Sequence, residues 1–142
     1  MVYKDAEIVD CDMNQHVSNV IFARWFQIAR NSYFQTVERP NGMFFVIAKI
    51  VIEYKQEIFA PDRICLRTRV RKLGNKSIEI YSEISSEKNG YEKIAASAIQ
   101  TMICAMREDS KDPKSKTVRI PEKLRESIAK FERKEEWLAS KL

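Results

Sequence analysis

The chain has 142 residues, 44% of them hydrophobic and 32% charged, which suits one globular domain around one core. No apolar run is long enough to span a bilayer, and the first residues, MVYKDAEIVD, lack the basic and apolar regions of a secretory signal. The formal charge of +5 is modest and its lysines and arginines are mixed with acids, so the basic stripe with interleaved aromatics of a nucleic-acid binder is not evident. The surplus suits a phosphorylated carrier on a substrate, or simple solubility. Cys11, Cys65 and Cys104 are odd in number and lack metal-ligand spacing, so reduced thiols are expected. A cytoplasmic protein is the expectation, or an organellar matrix protein once a transit peptide is removed.

Val2 to Val9 reads as a first, weakly patterned strand. A polar turn follows in which Asp12, Asn14, Ser18 and Asn19 are all able to cap a helix start. The helix is predicted from Asn19 to Thr36, ended by ERPNG, where Pro40 and Gly42 oppose continuation. Phe22, Trp25, Phe26, Ala29 and Tyr33 follow helical spacing, and Val20, Ile21, Ile28 and Phe34 carry apolar character onto nearly every side. Such a helix is expected to be enclosed by the remaining elements.

Met43 to Tyr54 is a predicted strand, with Phe44, Val46, Ala48, Ile50, Ile52 and Tyr54 on one face. After the FAPD turn at Phe59 to Asp62, Ile64, Leu66, Thr68 and Val70 alternate with Arg63, Arg67, Arg69 and Arg71. LGNKS turns the chain into a strand carrying Ile78, Ile80 and Ile84 inward, and EKNG turns it again into Tyr91 to Met106, where Ala95, Ala96, Ser97 and Ala98 allow the helix a close approach. Arg107 to Arg119 reads as a polar loop. Pro121 then begins a helix with the apolar stripe Leu124, Ile128, Phe131, Leu138 and Leu142. A strand, a helix and four strands in a meander predict an α+β fold, a five-stranded antiparallel sheet wrapped around a long central helix, with the core in about residues 1–106 and the loop and terminal helix after it.

Asp12, Asn14 and the only histidine, His16, stand two apart in the turn before the helix. A carboxylate near a helix N-terminus meets free N–H groups and the positive end of the dipole, which keeps it ionised and fit to act as base or nucleophile. The same N–H groups suit the oxyanion of a reacting carbonyl, and His16 suits water positioning or proton transfer near neutral pH. The plainer reading of these residues is helix capping and a hydrogen-bonded structural histidine. One histidine with one nearby carboxylate is too few ligands for a metal, and no metal or other cofactor is expected.

DCDMNQHVSNVIFARWFQIARNSYF, at Asp10 to Phe34, resembles the signature segment of the hotdog-fold acyl thioesterases. DCD and the helix ending in RNSYF are similar to the 4-hydroxybenzoyl-CoA thioesterases, whereas DMNQHVSN is closer to the acyl-acyl carrier protein thioesterases. IEYKQE, at Ile52 to Glu57, matches a place where the latter carry an acid after a strand. The resemblance implies that Asp12 is the principal catalytic carboxylate, attacking the thioester or activating water. It implies that Asn14 holds the carbonyl or the carboxylate, that His16 completes the polar network and that Glu57 orients water. Asn19 would support the turn, and Phe22, Trp25 and Phe26 would offer apolar surface to an acyl chain, although core packing accounts for most such residues. The sequence departs from the pattern at Gln15, Ser18 and Phe22, and Gln15 leans towards the carrier-protein group. The resemblance further implies an acyl-CoA or acyl-carrier-protein substrate, a homodimer or a tetramer, no nucleic acid and no membrane span. Two other readings stay open: a hotdog hydratase or dehydratase on the same carriers, and a non-catalytic acyl-binding module.

Overall fold

The computed structural model describes residues 2–6, 11, 16–107 and 116–139. Its elements in chain order are β1 (Val2–Asp5), α1 (Asn19–Phe34), β2 (Met43–Tyr54), β3 (Arg63–Leu73), β4 (Ser77–Lys88), β5 (Tyr91–Met106), β6 (Lys116–Thr117), α2 (Glu122–Glu132) and α3 (Glu136–Ala139). The α+β expectation holds, with a two-residue sixth strand inside the segment expected to be loop.

The sheet order is β1-β3-β4-β5-β2, with β6 beside β5. The expected four-strand meander is therefore corrected: β3, β4 and β5 are consecutive, but β2 crosses to the far side and pairs with β5. The FAPD segment is the expected turn, Asp62 N donating to Phe59 O at 2.8 Å, but it closes this crossover rather than a hairpin. β2 runs antiparallel to β5, because Arg107 at the end of β5 donates to Gly42 O just before β2 (3.2 Å), while Lys55 just after β2 donates to Ala95 O (2.7 Å). Gly42 has φ +83°, and a Cβ there would lie 3.1 Å from the Arg107 carbonyl, so both the conformation and the close approach call for glycine. The β4–β5 hairpin turns on Asn89 and Gly90 at φ 54° and 80°, the two positive angles of a type I′ turn.

The chain divides into two compact units. The first holds Met1–Tyr33, Val51–Thr68 and Tyr81–Ile99. Its core joins Phe22, Trp25, Phe26 and Ala29 of α1 to Ile64 and Leu66 of β3, Ile84 of β4, the small Ala95, Ala96 and Ala98 of β5, and Ile58. The helix is one-sided rather than apolar all round: Ala23, Arg24, Gln27 and Asn31 are exposed, and Val20 is 72% exposed. On β3, Arg67 is bonded to Glu92 and Ser85. Hydrogen bonds from Arg67 and Ser85 hold the Glu92 carboxyl below the usual carboxylate range, the arginine contributing most.

The helix begins at a side-chain cap. Ser18 Oγ accepts from Val20 N at 3.2 Å and Ser18 O accepts from Ile21 and Phe22 N, which satisfies three donors of the first turn. Ser18→Ala is expected to cost about 1 kcal/mol, read as a lower denaturant midpoint at unchanged slope. A change within about 0.3 kcal/mol would mean that water replaces the hydroxyl without loss.

The second unit holds Phe34–Ile50, Arg69–Ile80 and Gln100–Leu142. The single terminal helix expected from the sequence is two helices, broken at Arg133, which adopts φ 58° and caps α2 by donating to Ala129 O and Lys130 O. Leu124 and Ile128 are buried as expected, but Phe131 is 52% exposed, and Leu142 lies outside the described residues. Arg125 takes a buried place on the stripe instead, its guanidinium donating to Gly74 O at 2.7 Å in the β3–β4 turn. Among the described residues no helix is long and apolar enough to cross a membrane.

Candidate active site

The site is built where the chain before α1 meets the chain after β2. Cys11 and Val17 form an isolated antiparallel β-bridge. Val17 N donates to Ile58 O at 2.8 Å, and His16 bridges Phe59. These backbone bonds fix the histidine against residues that are 41 or more positions away in sequence, and its ring stands edge-on to Phe59 with centroids 5.6 Å apart. His16 Nε2 lies 3.4 Å from Glu57 Oε1. The imidazole is about one quarter exposed and the carboxylate mostly exposed, so both are open to water.

Beside this pair is a cleft of about 360 Å³ lined by His16, Val17, Asn19, Phe22, Tyr54, Lys55, Gln56 and Glu57. Val17, Phe22 and the Tyr54 ring give it apolar lining, and His16, Asn19, Lys55, Gln56 and Glu57 give it polar lining. Phe22 and Tyr54 meet edge to face at 5.4 Å and 83°. The backbone N–H groups of Lys55 and Gln56 both donate to Ala95 O, so they brace the rim rather than face a ligand.

Of the residues singled out from the sequence, His16, Glu57, Asn19 and Phe22 are brought together here. Asp12 and Asn14 lie outside the described residues. Trp25 and Phe26 do not line the cleft; at 1% and 0% exposure they belong to the core, because their positions on α1 point at the sheet. Sequence reasoning missed Tyr54, Lys55 and Gln56 as cleft residues, although they sit inside the quoted IEYKQE segment next to Glu57. Among the cysteines, Cys65 and Cys104 are buried, and burial pushes the Cys104 thiol up and away from the reactive thiolate.

An antiparallel sheet carrying one long helix, with a polar pair at the helix entrance, defines the hotdog class of enzyme. A profile of the thioesterase-like superfamily matches residues 7–128, and the chain belongs to that family, whose activity is thioester hydrolysis. It is 27% identical over 99 residues to the long-chain acyl-CoA thioesterase FadM of Escherichia coli (strain K12), covering 66% of this chain and 73% of the relative. A thioesterase of Thermus thermophilus, solved with coenzyme A and zinc, superposes with TM-score 0.76 at 26% identity over 93% of this chain and 92% of that one. A 4-hydroxybenzoyl-CoA thioesterase variant solved with 4-hydroxybenzoyl-CoA superposes with TM-score 0.78 at 16% identity, covering 89% and 96%, and shows the shared fold.

Proposed function

We propose that this chain acts as one catalytic domain that hydrolyses acyl thioesters of coenzyme A, with Asp12 as the principal carboxylate. The observation that supports it best is the His16–Glu57 pair at 3.4 Å in a cleft that also has apolar lining. A thioester placed there has its acyl carbons against Phe22 and its carbonyl near the polar side. Asp12 either takes a proton from water as that water adds to the carbonyl carbon and passes it to the departing sulfur, or adds to the carbon itself and expels the thiolate, forming a mixed anhydride that water then cleaves to the free acid, the proton released going to the thiolate. Glu57, held against His16, orients the water, Asn14 steadies the carbonyl or the carboxylate, and Asn19 supports the turn. The named substrate of the Escherichia coli relative and the coenzyme A bound to the Thermus enzyme support coenzyme A as the carrier. Thiol release from matched acyl-CoA and acyl-carrier-protein substrates tests this: release from neither sinks it, and release only from the protein-borne acyl group moves the assignment to that carrier.

The active form is a homodimer in this reading, working in the cytoplasm. Among the described residues β2 ends the sheet order beside β5, and it exposes Val46, Ile47, Ile50 and Val51 by 40–48%. An exposed apolar edge strand of 12 residues invites pairing with a second copy. Val51→Glu is expected to convert the dimer to a monomer at micromolar concentration, measured by light scattering on a sizing column. A variant that elutes with the wild-type mass would place the interface elsewhere.

A further inference from the structure

Tyr54 is the residue of the cleft that fits least well as mere scaffold. It is 52% exposed, yet its ring is pinned edge to face on Phe22, which is itself 3% exposed. Phe22 in turn packs on Trp25 at 5.8 Å between centroids, and Trp25 and Phe26 are fully buried members of the same core. The cleft therefore has an aromatic floor, with Phe22 resting on Trp25 of the core. A volume of about 360 Å³ has to hold the thioester beside His16 as well as the first acyl carbons, and sites for small molecules begin at about 300 Å³. The Tyr54 ring stands beside those first acyl carbons.

We propose that Tyr54 is the specificity-determining residue of this site, its ring and Phe22 forming a wall that selects compact acyl groups, short or aromatic, over long ones. This rests on the thioesterase reading above. The ring performs the selection by shape, since a flat aromatic edge and face accept a benzoyl ring or a few methylenes and block continuation. The hydroxyl has no part in it.

The test compares hexanoyl-, benzoyl- and palmitoyl-CoA on the wild type, Tyr54→Phe, Tyr54→Ala and Tyr54→Trp, reading KM and kcat separately along with thermal unfolding of each variant. Tyr54→Phe, which keeps the ring, should keep the wild-type palmitoyl-to-hexanoyl ratio of kcat/KM whatever its absolute rate. Tyr54→Ala should raise KM for hexanoyl- and benzoyl-CoA about tenfold and shift the palmitoyl-to-hexanoyl ratio of kcat/KM by about tenfold towards palmitoyl. Tyr54→Trp should move that ratio the other way, and it carries the test if the alanine variant fails to fold. A ratio constant to within about threefold in the folded variants, with the wild type active, overturns the role of Tyr54 and leaves the thioesterase reading intact. A wild type that releases no thiol from any of the three overturns both.

Discussion

Asp12→Asn is expected to lower thiol release by about 10²–10⁴-fold, the range that a positioned general base contributes, and to leave thermal unfolding within about 1 °C of the wild type. The substitution keeps the shape of the side chain and removes its charge and its basicity. A base made amide has no proton affinity near neutral pH, and a nucleophile made amide no longer adds to a carbonyl. Both proposed mechanisms thus lose their chemical step while binding is retained, so kcat falls and KM stays near its wild-type value. Capping is the competing account, and it makes the opposite forecast. Asparagine caps as well as aspartate does, so a residue that only caps would give an active Asp12→Asn enzyme. Full turnover in that variant would pass the leading role to the His16–Glu57 pair, whose members lie 3.4 Å apart.

Where local pattern controls structure, the chain could be read directly. The inward Ile64, Leu66 and Val70 of β3, the inward Ile78, Ile80 and Ile84 of β4, and the Asn89–Gly90 hairpin all follow from alternation and turn chemistry acting over a few residues. The partner of β2 did not, because alternation fixes which face is buried and not which strand lies alongside. MFFVIAKIVIEY, apolar on one face and mixed on the other with Lys49 and Glu53, announces a strand but not its neighbour. The break at Arg133 carries no glycine or proline to announce it, and the burial of Arg125 depends on two carbonyls about 50 residues earlier. The site divides the same way: a turn before an apolar helix pointed to His16 from spacing, whereas Glu57 was reachable only through resemblance to a family. No periodicity links residues 16 and 57, since backbone bonds at Val17 and Phe59 make them neighbours.

Trp25→Ala is expected to destabilise the protein by about 3–5 kcal/mol and to lower the unfolding midpoint by roughly 10 °C or more. Trp25 is 1% exposed, it packs on Phe22, and the Lys4 ammonium sits 5.5 Å from its ring. Truncation removes the largest side chain of the core, and the cavity left is bounded by Phe26 and by strand residues whose backbone positions are fixed by sheet hydrogen bonds. Such a site collapses poorly, which places the cost in the upper part of the range for large-to-small changes. Val20→Ala on the same helix is the control: its side chain is 72% exposed, so its loss should change stability by less than about 0.5 kcal/mol. The experiment also separates the two roles the sequence offered for this tryptophan. A core residue replaced by phenylalanine loses stability in proportion to the volume removed and keeps its KM, whereas a substrate-facing residue keeps its stability and raises KM. A Trp25→Phe enzyme with wild-type stability and a KM about tenfold higher would return Trp25 to the acyl wall and would require the floor beneath Phe22 to open.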